Sequence, residues 1–196
     1  MLRIKIVALH EGCWTSDLHM QGTTLAMSFF PKKNYFRSIV TYSERPELQQ
    51  GKGIVRILSS RRIGATHIVD FLNKYDGSMA GTLNDLGVLI LKNKLYGGLE
   101  EWEVLAYKWA LREVKSGISS IAKVKKISVN DFKPQPPLTQ AEIAVLKTLV
   151  HFGYFDHPKR VTLESVGRHL GMSKSTVVYH LRNALKKISI TYLELF

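Results

Sequence analysis

The stretch 161–188, VTLESVGRHLGMSKSTVVYHLRNALKKI, decides the architecture of the C-terminal part. Thr162 is a helix-capping type, because its hydroxyl can accept from a free backbone N–H of the first turn. Leu163 to Leu170 then place apolar residues at helical spacing. Gly171 suits the left-handed residue that closes a helix, Met172 is expected to point inward, and Ser173 caps a third helix. Two short helices joined by a turn that contains glycine predict a helix-turn-helix. Gly167 is small where two helices cross closely, and Val166, Leu170, Met172, Val177 and Leu181 form the apolar set that locks them together.

The helix after Ser173 has two faces. Val177, Leu181, Ala184, Leu185 and Ile188 recur at inward spacing, and Ser175, Val178, Tyr179, Arg182 and Lys186 lie on the other side. A polar, basic face of this kind fits the major groove of a duplex, where the first turns of a recognition helix meet base edges. Arg182 can pair bidentately with guanine or hold a phosphate, and Val178 and Tyr179 can meet a thymine methyl. Ser173, Lys174, Thr176, Thr162, Lys159 and Arg160 fall near helix N-termini, where backbone N–H groups favour phosphate. His180 reads as a packed or capping residue.

Upstream, Thr139 and Glu142 have the spacing of a capping box, and Leu138, Ile143, Leu146, Leu149, Val150 and Phe152 follow at helical intervals until Gly153. Residues 154–160 form a turn-rich connection. Before this helix, 131–137 (DFKPQPP) holds three of the six prolines and is expected to be an extended linker. The expected division is therefore residues 1–130, a linker at 131–137, and an all-α unit at 138–196.

The first part reads as mixed α/β. Leu2 to Leu9 form an alternating strand, and Thr23–Phe30 and Tyr35–Tyr42 form strands joined by a turn at Pro31–Asn34. Ile54, Val55, Ile57 and Leu58 have the spacing of a short helix. Further strands are expected over Thr66–Tyr75, Leu86–Leu91, Trp102–Tyr107 and Ile121–Val129. Helices are expected around Ser78–Asp85 and from Trp109 to Lys115, before Gly117. Trp102 and Trp109 are expected in the core. Strands separated by short helices suggest an α+β sandwich of the ferredoxin-like or ACT-like kind, followed by the helix-turn-helix.

Charge narrows the partners. The 196 residues carry 28 Lys and Arg against 16 Asp and Glu, a net charge of +12. Such an excess favours a polyanion, nucleic acid first. Of this, 20 basic against 12 acidic residues fall in 1–137, so the excess is not confined to the helix-turn-helix. No apolar run reaches the ~18 residues of a membrane span, and the N-terminus reads as a strand rather than a signal peptide, so a cytoplasmic protein is expected. One cysteine, Cys13, excludes an internal disulfide. No phosphate loop, dinucleotide fingerprint, H-E-x-x-H or G-x-S-x-G is present, so no enzyme and no cofactor is expected.

The run 138–188, LTQAEIAVLKTLVHFGYFDHPKRVTLESVGRHLGMSKSTVVYHLRNALKKI, resembles the helix-turn-helix of archaeal regulators related to the bacterioopsin activator. The resemblance implies a transcription regulator, and on the DNA-reading helix it picks out Ser175, Thr176, Val178, Tyr179 and Arg182. The segment Gly12-Cys13-Trp14-Thr15-Ser16 is similar to one that short members carry after their first strand.

That loop, with Cys13, Trp14, Thr15 and Ser16, is the expected effector site. His10, Cys13 and His19 have the spacing of a metal set, with Asp17 as the sole candidate fourth ligand, and no metal is assigned to them. Lys123, Lys125 and Lys126 read as a solvated strand face. The expectation is thus a sequence-specific regulator that binds double-stranded DNA, with an N-terminal domain that senses a small effector, forms a homodimer, or does both. The rivals are a sequence-indifferent architectural DNA protein and a protein whose helix-turn-helix binds another protein.

Overall fold

Alternation in the first residues becomes an inner strand. β1 (Leu2–Leu9) buries Leu2, Ile4, Ile6 and Ala8 on one face and turns Arg3 and Lys5 to the other. Full burial of Ile4 and of Ile6 is worth about 1.5–3 kcal/mol each. β1 runs antiparallel to β7 (Leu99–Ala106) on one side and to β8 (Lys123–Asp131) on the other. The remaining strands are β2 (Gly22–Phe30), β3 (Tyr35–Tyr42), β4 (Ile54–Ile63), β5 (Thr66–Lys74) and β6 (Leu89–Tyr96). Together they form one eight-stranded sheet in the order β4-β5-β3-β2-β6-β7-β1-β8, with every pairing antiparallel.

Two helices complete this unit. Ser78 caps α1 (Met79–Asp85), its hydroxyl accepting from Gly81 N at 2.9 Å. α2 (Leu111–Ile121) presents Val114 and Ile118 inward. Both helices join Ile4, Ile6, Trp102 and Val104 in one apolar cluster. A second cluster, around Val40, Tyr42, Val69 and Phe71, lies under the β1–β2 loop at Trp14 and Leu18. The unit is α+β, as expected, but with eight strands. Along the chain β1, α1, β6, β7, α2 and β8 follow a β-α-β-β-α-β order, and β2 to β5 are inserted between β1 and α1.

Four expectations are corrected. Ile54 to Leu58 belong to an edge strand, not a helix. β-Bulges between Ile54 and Arg56 and between Ile57 and Ser59 break the two-residue period and imitate helical spacing. The strand expected over Leu86–Leu91 starts at Leu89 and runs to Tyr96, forming a hairpin with β7. Gly117 does not end α2; it lies inside it, where an added Cβ would stand 3.2 Å from Leu86 Cδ1, so its smallness serves helix packing. Trp109 is not core. It is 71% exposed and stacks on Tyr107 at 6.0 Å.

The chain divides at Phe132, giving units of residues 1–132 and 133–196. The computed structural model describes residues 1–132, 134 and 137–195. β8 extends through Asp131, one residue into the expected linker. Lys133, Gln135 and Pro136 of that linker, and Phe196, lie outside the described residues.

The second unit holds α3 (Gln140–His151), α4 (Leu163–Leu170) and α5 (Lys174–Leu195). Thr139 and Glu142 make the capping box that their spacing implies, with Thr139 N donating to Glu142 Oε2 at 2.7 Å and Glu142 N donating to Thr139 Oγ1 at 3.2 Å. Lys187 Nζ, 2.8 Å from the buried Glu142, adds an ion pair between α3 and α5. Val145, Leu149, Val166, Val177 and Leu181 are the buried centre of this unit. Among the described residues no helix is long and apolar enough to cross a membrane.

Candidate functional site

The helix-turn-helix is assembled by local signals. Thr162 caps α4, accepting from Ser165 N at 3.3 Å, and Ser173 caps α5, accepting from Thr176 N at 3.1 Å. Gly171 closes α4 in the left-handed conformation at φ +64°. Gly167 is fully covered by the turn. A Cβ there would come within 2.6 Å of Met172 O, so the close approach is to the turn backbone.

α5 separates a buried face from an exposed one. Val177, Leu181 and Ala184 are buried, and Tyr179 is 63% exposed. Lys174, Ser175, Val178, Tyr179, Arg182 and Asn183 line one shallow groove on its outer side. Five of these six were legible as candidates. Asn183 was not singled out, although it stands four residues after Tyr179 on the same face. Lys186 is exposed further along, and Thr176 is half-buried beside the Ser173 cap. His180 is half-buried against the Tyr179 ring at 5.4 Å. Leu185 and Ile188 depart from the inward expectation, each being 42% exposed.

The basic groups expected at phosphates are held by weak surface contacts. Lys174 pairs with Glu164, whose carboxyl is held below its ordinary range by that ammonium. Arg160 Nε lies 3.2 Å from Asp156, and Lys159 Nζ sits 4.5 Å above the Tyr154 ring. Exposed pairs of this kind are weak because water screens them, so they orient the cations without removing them from other anions. Among the described residues Arg182 has no ion-pair partner.

A second site lies in the N-terminal unit. β2 and β6 pair only at Gly22 with Leu95 and Thr23 with Lys94. Past that point a side-chain bond, Thr24 Oγ1 to Asn93 Oδ1 at 2.8 Å, spans the gap. A cavity of about 300 Å³ opens there, lined by the β1–β2 loop, by Met27, Phe36 and Trp102, and by the buried polar Ser38, Asn73, Asn93 and Glu100. Three of the four expected effector residues reach it. Cys13 lines it; Trp14 donates Nε1 to Asn73 Oδ1 at 3.0 Å; Thr15 donates to Glu100 Oε1 at 2.7 Å. Ser16 turns back onto Cys13 O at 2.7 Å and does not line it.

The loop does not form the set His10, Cys13, His19. His19 is exposed, Asp17 pairs with Lys52, and the third group beside His10 and Cys13 is Glu100 from β7. Glu100 went unread because its neighbourhood is created by strand pairing. The Cys13 sulfur and the Glu100 carboxylate both favour the protonated His10 ring and push it up to about 10, against the opposing effect of burial.

Comparison with known proteins gives one related protein and one family match. A "Putative transcriptional regulator" of the archaeon Haloferax volcanii is 35% identical over 85 residues, which are 43% of this chain and 14% of that protein. No solved structure matches the chain. Residues 138–189 match the family described as HTH DNA binding domain, so the three-helix unit that ends in α5 is a helix-turn-helix of the bacterioopsin-activator type.

Proposed function

We propose that the protein is a sequence-specific transcription regulator that lays α5 in the major groove of double-stranded DNA. The observation that carries this is the single groove formed by Lys174, Ser175, Val178, Tyr179, Arg182 and Asn183 on a helix whose opposite side is buried. In this reading Arg182 reads guanine, Asn183 reads adenine, and Val178 and Tyr179 meet thymine methyls. Ser173, Lys174, Thr176, Thr162, Lys159, Arg160 and Lys186 contact phosphates and set the register. The helix-turn-helix supplies binding rather than catalysis, in the cytoplasm where the DNA is.

The end of α5 supports a homodimer. Leu185, Ile188 and Tyr192 are exposed at intervals of three and four, the spacing of a two-helix seam. Two chains would then address half-sites about one helical turn apart. The β-α-β-β-α-β portion of the N-terminal unit, in the sheet order β6-β7-β1-β8, supports a ferredoxin-like core, and the cavity beside it supports a small-effector site.

The rival architectural reading draws on the 20 basic residues in 1–137. Selection of duplexes from a random pool by the full chain separates the two. A palindromic winner is expected, and Arg182→Ala should weaken binding to it by about 1–3 kcal/mol. Equal affinity for the winner and for random duplex across a salt series would establish the architectural role instead.

A further inference from the structure

Glu100 lies in an unusual electrical situation. It is only 4% exposed, and its two oxygens accept from neutral donors, Thr15 Oγ1 at 2.7 Å and Trp102 Nε1 at 2.8 Å. Those bonds fix the carboxylate in place without neutralising it. A buried carboxylate is costly unless a cation stands beside it. The ring facing it is that of His10, whose Nδ1 is 3.6 Å from Glu100 Oε1, and this buried nitrogen has no hydrogen-bond partner among the described residues.

Topology brings a sulfur to the same point. Ala8, two residues before His10, is the register partner of Glu100. The chain then turns at Gly12, and Cys13 N donates back to His10 O at 3.4 Å, which puts His10 and Cys13 on one side of the turn. The nitrogen, sulfur and oxygen donor atoms of His10, Cys13 and Glu100 all lie within 4.8 Å of one another. Bond lengths of roughly 2.0–2.3 Å to a single ion set tetrahedral donors about 3.3–3.6 Å apart, so they would draw together by about 1.5 Å at most.

We propose that His10, Cys13 and Glu100 bind a divalent transition-metal ion of the zinc class, with its remaining coordination position open to the cavity. The assignment rests on the effector-site reading above and gives it a chemical class. One thiolate, one imidazole and one carboxylate are a borderline donor set. The sulfur disfavours magnesium and calcium, and the carboxylate disfavours copper(I). A dication would displace to solvent the proton that the His10 ring otherwise holds beside Glu100, and thiolate plus carboxylate then balance its charge. The bonds from Thr15 and Trp102 are the outer contacts that orient a ligating carboxylate. All three donors line the cavity, so a water or a small anion could complete the coordination.

Cys13 is the chain's one cysteine, so its chemistry reports this site alone. The test uses the full chain, unmodified, with zinc(II) and cobalt(II) as probes. One equivalent of zinc should slow iodoacetamide labelling of Cys13 more than roughly tenfold, because the metal holds the thiolate. One equivalent of cobalt should give a thiolate-to-metal charge-transfer band. Glu100→Gln should weaken metal binding at least about tenfold, and His19→Ala should leave it unchanged. Unchanged labelling at saturating zinc, or binding that survives Glu100→Gln and is lost in His19→Ala, would overturn the site. Should Glu100→Gln fail to fold, the labelling of the unmodified chain still decides. DNA affinity measured with and without zinc reads the sensor assignment separately: a bound metal that leaves it unchanged removes the signal and not the site.

Discussion

The groove on α5 and the cavity beside β1 gather polar side chains by opposite routes. On α5 the gathering is local. Ser175, Val178, Tyr179 and Arg182 come to one face because a helix repeats every 3.6 residues, and Val177, Leu181 and Ala184 fix which face is out. In the cavity His10, Thr15, Asn73, Asn93 and Glu100 come from the loop after β1 and from β5, β6 and β7, and only sheet pairing makes them neighbours. The first arrangement is a polar surface over an apolar core. The second is a polar interior that holds together through its own hydrogen bonds. The two units should therefore fail in different ways.

The largest effect is expected from the core of the helical unit. Leu149→Ala empties a fully buried position and should destabilise that unit by about 3 kcal/mol. Denaturant titration of the full chain, followed by DNA affinity, checks this; a loss under ~1 kcal/mol would mean a core that collapses around the gap. Gly167→Ala should cost about 2 kcal/mol, because its methyl meets Met172 O at 2.6 Å. The same titration reads it, and a neutral result would show that the turn can yield.

In the sheet unit the sensitive positions are polar. Asn73 is 2% exposed, accepts from Trp14 Nε1 and donates to Ser38 Oγ at 2.8 Å. Asn73→Ala leaves those groups without partners and should cost roughly 1–2 kcal/mol. Trp14 fluorescence during unfolding, with the other tryptophans replaced by phenylalanine, localises the loss. No change would mean that water replaces the amide, and the two units would then differ less than their bonding suggests.

The smallest effect is expected at Glu142. Lys187 first, and the Thr139 N–H second, hold its carboxyl below the ordinary range. A depressed pKa contributes stability that is complete above the unfolded value, near 4.3, and is lost as pH falls through the folded one. Lys187 is the charged group facing it from α5. The stability difference between the natural chain and Glu142→Gln should therefore shrink as pH drops below about 4.3. Thermal unfolding at matched salt between neutral pH and pH 3 measures it, and a difference independent of pH would show that the ion pair contributes nothing.

The helical unit was legible almost residue by residue. Thr139, Thr162, Gly171 and Ser173 act within a few residues of themselves, so a linear pattern carries their roles. Leu185 and Ile188 misled because periodicity says which side a residue takes, not whether anything covers that side. In the sheet unit the alternation of β1 and the cap at Ser78 were equally plain. Ile54 to Ile63 was not, because two bulges disguise the period.

By itself the sequence determined the capped helices, the turn between α4 and α5 and the polar face of α5, all governed by backbone hydrogen bonds and periodicities that span four residues or fewer. Tertiary structure alone decided that Glu100, ninety residues from His10, completes a cluster with it and Cys13. It alone decided that β2 leaves β6 after two residue pairs and opens a cavity. The physical reason is that strand pairing joins residues at any separation, and its register depends on which faces the whole sheet must bury.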